Sequence, residues 1–425
     1  MTSVALAPRA LEMGEAERRG QRAARLRGAV IALLGAGALW AASGAFNVAA
    51  TFSFWLLEQG GAAWTITTTV GMLWLVAGGV AIVIGSVQAG VGASFPWRQS
   101  LVVVLPPFVA AILAALLDGK VANMTGVFAG SLELAVPITL GALAGILSER
   151  SGMLNIAIEG KFLVGACSGA IAASITNSVV AGVVVAMLFG MAVGYVLAWL
   201  GIRHQVDQII AGVVVNIGAI GITNFIFLRV LAKNTWLNTP PTIEKIKIPV
   251  LSRIPVAGPL FFSGTPYLYV TLVLVVFLSY MLFRTRWGLR LRASGEKPSA
   301  AATVGIDVIK IRYRSMLLAG ALAGLAGSYL SLSSAGSFQM QMSAGRGFIA
   351  LAAVIFGAWN PVGALGAALM FGFSDAIQSL MSILGVDVAP QLLNSVPYIV
   401  TIVVVAGLVG RVRGPAAAGQ PYTQG

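Results

Sequence analysis

Apolar segments long enough to cross a lipid bilayer recur along the whole of this chain. A membrane-spanning helix needs about 20 apolar residues, and the 425-residue chain is 58% hydrophobic and only 10% charged. No soluble domain of ordinary size fits between the segments. The sequence therefore predicts an all-α, polytopic membrane protein with about twelve hydrophobic segments, at least one of them a broken helix. We place the segments at 28–50, 66–90, 100–117, 125–147, 151–175, 179–202, 208–230, 266–284, 315–335, 347–366, 367–384 and 393–410.

The basic residues predict how these segments are oriented. The chain has 27 Lys and Arg against 14 Asp and Glu, a net charge of +13. If the chain starts inside, the arginines before residue 28 and the basic cluster at 284–314 both fall on the cytoplasmic side, as the positive-inside rule requires. This distribution indicates membrane topology and contact with lipid rather than nucleic-acid binding. We expect a multi-pass protein of the inner, cytoplasmic membrane with both termini in the cytoplasm.

The chain is poor in residues that catalyse reactions or bind metal ions. Its single histidine, His204, and single cysteine, Cys167, cannot assemble a zinc site or a Ser/His/Asp triad. The pair Gly160-Lys161 falls short of the phosphate-binding motif GxxxxGK[ST], because the first glycine and the final Ser or Thr are missing. We therefore expect no enzymatic activity, no metal and no cofactor bound by this chain.

Polar residues inside the apolar segments are the candidates for function. Glu159 lies about 14 Å along a helix from Arg150, near the middle of the bilayer, where an ionised group costs at least ~3 kcal/mol unless it is paired or faces water. Asn155 lies four residues earlier, on the same helix face. Two interpretations stay open. Either these side chains line a substrate path, or Glu159 is neutralised by Lys161 or by backbone amides at a broken helix and fixes helix packing.

A second unusual segment, 346–372, has Trp359-Asn360-Pro361 in its middle. Proline removes a backbone donor and strains the preceding turn, so we expect two shorter helices that meet inside the membrane. Broken helices at that depth usually line a cavity; a kink or a tight turn between two spans is the alternative. The predicted substrate path combines these features, and its candidate residues are Asn155, Glu159, Asn216, Asn360, Trp359, Phe338 and Phe348.

Two loops are long enough to have structure of their own. The outer loop, 231–265, contains five prolines and should be irregular or extended. In the cytoplasmic loop, 285–314, Pro298 is a favourable first residue of a helix and Gly305 a favourable stop. We therefore expect a short helix in this loop.

Four separate blocks of the chain resemble the inner-membrane permeases of ABC importers for nucleosides, simple sugars and branched-chain amino acids. They include the stretches GILSERSGMLNIAIEGKF, RASGEKPSAAATVGID and GRGFIALAAVIFGAWNPVG, and the likeness covers about 125–410. The nucleoside permeases are the group that the chain resembles most. The resemblance implies a transmembrane permease subunit of an ATP-driven importer for nucleosides; a simple sugar or a branched-chain amino acid is the alternative solute.

The resemblance also implies partners. Permeases of this kind work with cytosolic ATPase subunits that use the ATP, with a second permease, which is usually a different chain in the nucleoside group, and with an extracellular substrate-binding lipoprotein. The stretch GEKPSAAATVGID is similar to the coupling helix that docks into the ATPase. The positions carried over to this chain are Glu296, Ala300, Ala301 and Gly305.

The resemblance leaves the front of the chain without a role, because the common permease core lacks three of the predicted spans. We expect these spans to pack around the rim of the core; docking of a partner or a part in gating is the alternative. The expected organisation is a basic cytoplasmic tail (1–27), an extension with three spans (28–124), the permease core (125–410) and a cytoplasmic C-terminal tail (411–425).

A proton-coupled secondary carrier is the competing class of transporter. In it Glu159, Glu133 or Asp375 would bind the coupling proton within the membrane. Intramembrane carboxylates and broken helices suit this class equally well. The structured basic loop at 285–314, however, would have no evident task in such a carrier.

Overall fold

The computed structural model describes residues 6–55, 63–92, 95, 97–117, 119–385 and 413–422. Within these ranges, ten helices are long and apolar enough to cross a membrane. The prediction of an all-α, multi-pass membrane protein is confirmed, and the strands are confined to two small sheets. The predicted segment at 393–410 lies outside the described residues.

The helices and strands are numbered in chain order. The helices are α1 (Leu6–Ser43), α2 (Val70–Val91), α3 (Trp97–Leu117), α4 (Met124–Glu149), α5 (Ile158–Thr176), α6 (Val179–Arg203), α7 (Gln208–Ile226), α8 (Ala257–Phe261), α9 (Pro266–Arg284), α10 (Arg286–Glu296), α11 (Pro298–Thr303), α12 (Val308–Tyr329), α13 (Arg346–Phe356) and α14 (Pro361–Ile383). The strands are β1 (Ala49–Trp55), β2 (Ala63–Thr69), β3 (Val121–Asn123), β4 (Ile246–Lys247) and β5 (Ser263–Gly264). One π-helical turn extends α7 (Phe227–Leu231) and another extends α12 (Leu330–Ser334), and 3-10 turns lie at Thr235–Asn238 and Leu251–Arg253.

The chain folds into two compact units, of which the first comprises Met1–Thr125 and Gln378–Gly410. In this unit α1 and α2 pack closely, because a Cβ at Gly28 or Gly35 would overlap the backbone of α2. Helix α1 includes most of the predicted tail and ends at Ser43, short of the predicted residue 50, because β1 follows it. Strand β1 pairs antiparallel with β2 and parallel with β3.

The second unit comprises Gly126–Ile377 and Arg411–Gly425. It contains the blocks of sequence that resemble the importer permeases. Its central helix is α12, which is buried over most of its length. Small residues allow this burial: a Cβ at Gly320 or Gly324 would overlap the α6 backbone, and one at Gly327 would overlap Phe162 of α5. Helices α4, α5, α9, α10, α13 and α14 contribute the other apolar side chains of this core.

Three predicted segment boundaries in this unit are wrong, and one of them is the start of α12, which lies at Val308 and not at residue 315. The span predicted to start at residue 151 begins at Ile158, because residues 151–157 form an irregular and largely buried stretch. The boundary between the two segments placed at 366 and 367 is also wrong, because the break lies at 357–360, at the Trp359-Asn360-Pro361 sequence that predicted two shorter helices. Pro361 is the first residue of α14, and Asn360 Oδ1 accepts a hydrogen bond from Val362 N in the manner of a helix cap.

Candidate functional site

The second unit has two distinct ends. At the end that we call the basic end, α4 terminates at Glu149 and the backbone of α10 touches that of Arg150. At the other, which we call the loop end, lies the segment 232–265. This segment is mostly irregular, as its prolines predict, and contains two 3-10 turns, the five-residue helix α8 and the β4–β5 pair.

The irregular stretch 151–157 enters the unit from the basic end. Buried backbone groups outside a helix need other partners, and a side chain of α7 supplies them. Asn216 Nδ2 donates to Ile156 O (2.9 Å), and Asn216 Oδ1 accepts from Gly160 N (2.7 Å). The buried Asn216, a predicted path residue, therefore joins the irregular stretch to the first turn of α5.

A buried lysine makes the second connection of this kind. Lys161 is completely buried, and its Nζ donates to Asn155 Oδ1. The ammonium group thus ties α5 to the irregular stretch, while the carboxylate of Glu159 is engaged by a different part of the chain.

Glu159 accepts three hydrogen bonds from the segment at the start of α13. Its Oε1 accepts from Ser343 Oγ (2.6 Å) and Gly345 N (2.9 Å), and its Oε2 accepts from Gly347 N (2.7 Å). The side chain is 5% exposed. Helix α13 has no side-chain N-cap of its own, so a carboxylate from α5 satisfies amides that a helix start leaves free. The sequence left two partners open for Glu159, namely Lys161 and the backbone amides of a broken helix. The structure pairs Glu159 with the backbone amides.

The loop 335–345 is held a second time nearer the loop end. Asn238 Nδ2 donates to Phe338 O (2.9 Å), and Asn238 Oδ1 accepts from Phe338 N (2.8 Å). The Phe338 ring is completely buried and meets Phe227 edge to face at 6.1 Å between ring centroids. Phe338 therefore anchors the loop in the apolar core of this chain.

The backbone between these anchors is strained. Gln341 and Ala344 have φ values of +53° and +47°, a region that side-chain-bearing residues enter at a cost. Such conformations persist where the surroundings impose them, and here the loop is held on one side by Asn238 and on the other by Glu159. The loop 335–345 is thus anchored on both sides and is not a flexible connection.

The turn between α13 and α14 lies at the basic end. Trp359 Nε1 donates to Glu149 Oε2 (2.6 Å), and the Nε and Nη2 of Arg150 each donate to Trp359 O (3.2 Å). Asn360 caps α14. The structure therefore has a tight turn between two helices at Trp359, which is the alternative to a break inside the membrane.

Helix α11 is the short helix predicted in the loop 285–314. It begins at Pro298, and Gly305 follows it with φ +80°, so both helix signals are confirmed. Ala301 is 4% exposed and packs inward, whereas Val304, which no sequence pattern indicated, is 74% exposed. The other positions carried over from the resemblance are exposed, namely Glu296, Ala300 and Gly305.

Residues 413–422, which we call the C-terminal strap, lie beside the end of α10. Ala417 N donates to Gly295 O (2.9 Å), and Gly419 N donates to Gly152 O (3.1 Å). The strap thus bonds both to α10 and to the irregular stretch after α4, next to the point where Gly295 touches Arg150. No apolar period or motif marks the strap in the sequence, so it was not predicted.

Arg312 of α12 lies beneath the strap. Its Nη1 donates to Gln420 O (3.0 Å), its guanidinium carbon lies 5.8 Å from the centroid of the Tyr422 ring, and it is 2% exposed. Burial also lowers the pKa of the nearby Arg150, while the Glu296 carboxylate acts in the opposite direction. The basic end therefore holds guanidinium groups covered by the chain itself.

The seven predicted path residues do not form one surface. Three of them surround the start of α5, two form the turn at the basic end, and Phe338 is enclosed; only Phe348 is exposed, at 51%. The loop before α13 also exposes two polar residues, Gln339 and Gln341, which are not among the seven. The sequence signal that could have indicated them is a pair of glutamines, Gln339 and Gln341, between two apolar segments. The assignment of the seven to a substrate path stays a prediction.

A bundle of apolar helices with hydrogen-bonded breaks in its interior has the architecture of a membrane permease. Residues 127–406 match the family described as the permease component of the branched-chain amino acid transport system. The chain belongs to this family. The match starts after α3, so the first three spans lie outside it.

Individual relatives cover the same region. The guanosine ABC transporter permease protein NupQ of Bacillus subtilis is 38% identical over 317 residues, which are 69% of this chain and 95% of the relative. The nucleoside ABC transporter permease protein NupC of Lactococcus lactis is 34% identical over 70% of this chain and 96% of its own length. The putative glucose ABC transporter permease protein TsgC13 of Haloferax volcanii is 31% identical, with coverages of 70% and 98%. No solved structure matches the chain.

Proposed function

We propose that this chain is the membrane permease subunit of an ATP-driven importer of nucleosides. The two relatives at 38% and 34% identity are named for guanosine and nucleoside transport, which supports this solute class. The relative at 31% identity is named for glucose, so a simple sugar is the second candidate. Branched-chain amino acids, named in the description of the family, come third.

The observation that carries the proposal is the junction between α10 and the irregular stretch after α4. Ser294 Oγ donates to Ser151 O (3.1 Å), and Ser315 Oγ donates to Ser151 Oγ (2.6 Å). The Gly295 backbone touches that of Arg150 so closely that a Cβ would overlap it. A push on α11 from a partner would therefore reach residues 151–157 directly, and through Asn216 the first turn of α5.

In this proposal the basic end is cytoplasmic and docks a separate ATPase. Glu296, Ala300, Val304 and Gly305 offer the exposed contact surface, and Ala301 packs α11 onto the rest of the chain. The ATP is bound and hydrolysed by the ATPase, and the chain itself binds no cofactor and catalyses no reaction. Both termini lie in the cytoplasm, and the membrane is the inner, cytoplasmic one.

The solute path in this proposal runs over the loop 335–345 and Phe348, between this chain and a second permease of different sequence. Asn155, Glu159 and Asn216 support that surface through the hydrogen bonds described above, and Trp359 and Asn360 form its floor at the basic end. An extracellular binding lipoprotein delivers the solute to the segment 232–265.

The buried carboxylates favour this proposal over a proton-coupled carrier. Glu159 accepts three hydrogen bonds, and Glu133 accepts from both Thr265 N and Thr265 Oγ1 (2.7 Å each). Asp375 lies 3.8 Å from Arg346. All three carboxylates are thus engaged by other parts of the chain, and such contacts are typical of residues that fix packing inside a membrane protein.

The test is uptake by the assembled transporter in proteoliposomes, with guanosine, cytidine, glucose and leucine as labelled solutes. We expect ATP-dependent uptake of the nucleosides that stops when the ATPase subunits are left out. Uptake of glucose or leucine alone would move the solute to the second or third candidate. Uptake driven by a pH gradient without the ATPase would refute the proposal as a whole.

A further inference from the structure

The exposed residues 339–341 lie between two anchored positions of their loop that both contact the membrane-spanning helix α5. Phe338 belongs to one apolar cluster with Ala166 and Ala170, and at 1.5 Å per residue Ala170 lies about 9 Å from the end of α5 at Thr176. At the other side the loop bonds to Glu159, the second residue of α5. Ile158, the first residue of α5, lies against Gly145 of α4. Gly145 in turn lies about 6 Å along α4 from its last residue, Glu149.

Two polar side chains are exposed at this depth. Gln339 and Gln341 are both exposed, and neither side chain forms a hydrogen bond with another residue that the structure describes. An amide turned toward hydrocarbon loses its hydrogen bonds to water without replacement, at considerable cost. This face of the loop therefore meets water, a solute or a partner, and not lipid.

The position of the two amides is set by the anchors of the loop. Asn238 fixes the backbone of Phe338, immediately before Gln339, and Glu159 fixes that of Gly345. Gln341 has a left-handed backbone conformation, and strain of this type is found where a side chain must be aimed. The structure thus provides a rigid platform for two neutral amides.

The chemistry of the platform suits one type of solute. Each carboxamide both donates and accepts hydrogen bonds and carries no charge, and carboxamides pair with the donor and acceptor edges of nucleobases. Met340, between the two glutamines in the chain, is 44% exposed and adds polarisable surface against which a flat ring can lie, and Phe348 in the first turn of α13 is 51% exposed. We infer that Gln339 and Gln341 hydrogen-bond the base of the transported nucleoside and determine which base is accepted. This inference rests on the proposed function and names the part of the solute that is read.

Substitution of the two glutamines tests the inference. Gln339→Met and Gln341→Met keep the size of the side chain and remove both amide functions. In the fully assembled transporter we expect each to lower uptake of the preferred nucleoside about tenfold and to reduce its preference over nucleosides with other bases. Basal ATPase activity and co-purification of the subunits should be retained.

Gln205→Met is the matched control. Gln205 is also exposed and also left-handed, with φ +53°, but lies in the turn after α6 at the basic end. It should leave uptake and base preference unchanged. Unaltered base preference in both loop variants would refute the inference while nucleoside uptake by the unsubstituted protein upholds the proposed function. Failure of that protein to move any nucleoside refutes both.

Thiol labelling supplies a second test that needs no loss of function. The single cysteine, Cys167, is 3% exposed, so it gives little background. We expect Gln339→Cys to react with a water-soluble thiol reagent, and the nucleoside to slow the reaction. Ile217→Cys, on an exposed apolar face of α7, should not react, and Gln205→Cys should react without protection.

Two outcomes of the labelling would overturn the inference. Reaction of Gln339→Cys that is equally fast with and without nucleoside would show a wet surface that no solute touches. Absence of reaction, together with loss of the second permease in the glutamine variants, would identify the face as a contact between subunits.

Discussion

The buried charged residues of this chain act in the structure as connectors. Glu159 joins α5 to the start of α13, and Lys161 joins α5 to Asn155 in the stretch before it. The Glu159 carboxylate accepts from backbone amides at the start of α13, whereas Lys161 donates to a side-chain oxygen of the irregular stretch. At Glu159 the carboxylate and the helix start therefore satisfy each other's hydrogen bonds.

Glu159→Gln should destabilise the protein by about 1–3 kcal/mol, because one end of the amide must turn an N–H toward a donor. All three partners of Glu159, namely Ser343 Oγ, Gly345 N and Gly347 N, donate. We expect a lower melting temperature of the purified protein in detergent. The same replacement at the exposed Glu244 is the control and should leave it unchanged. Equal melting temperatures of the two variants would contradict this role of Glu159.

At the scale of elements, the coupling segment is a composite of parts far apart in the sequence. Helix α11 is short, and a six-residue helix has little stability alone. Its position comes from α10, from the turn at Ser151 and from the C-terminal strap, which bonds to Gly295 and Gly152. We therefore regard these segments as one docking element whose shape depends on all of them.

Removal of the strap tests this view. A chain that ends at residue 412 loses the donors to Gly295 O and Gly152 O and uncovers Arg312. We expect it to reach the membrane in normal amount but to retain markedly less ATPase subunit on co-purification. A chain that ends at residue 422 keeps these contacts and is the control. Undiminished ATPase binding by the shorter chain would mean that the strap does not support α11.

At the scale of the whole molecule, charge and hydrogen bonding act in different places. In the second unit the basic cluster at 284–314 lies at the basic end, which the positive-inside rule predicts to be cytoplasmic, whereas polar residues of the interior bond to its irregular backbone. The family match covers 127–406 and leaves α1 to α3 outside. The predicted division into an extension and a core stays a prediction.

The proposed orientation can be checked with two cysteine substitutions. Thr303, at the end of α11, and Lys245, in the segment 232–265, are both exposed and lie at opposite ends of the second unit. In intact cells we expect an impermeant thiol reagent to label Lys245→Cys at once and Thr303→Cys only after the membrane is opened. Labelling in the reverse order would place the basic end outside and refute the orientation.

Much of this protein follows from the sequence by itself. Length and repetition of apolar runs suffice for the membrane class, because a bilayer imposes the same requirement on every spanning segment. Local signals also suffice for α11, since Pro298 and Gly305 act within their own turn. The family resemblance also needs no structure, because it is carried by contiguous stretches of sequence.

The tertiary structure alone decided what the polar residues do. The partners of Glu159 lie more than 180 residues away, so no local pattern could distinguish a path residue from a connector. The exposure of a side chain is likewise set by how the bundle packs. Phe338 is enclosed, whereas Gln339 and Gln341 lie on the surface. Tertiary packing also brings the strap to Gly295. Long-range contacts decide these matters because a buried polar group is stable only beside its partner.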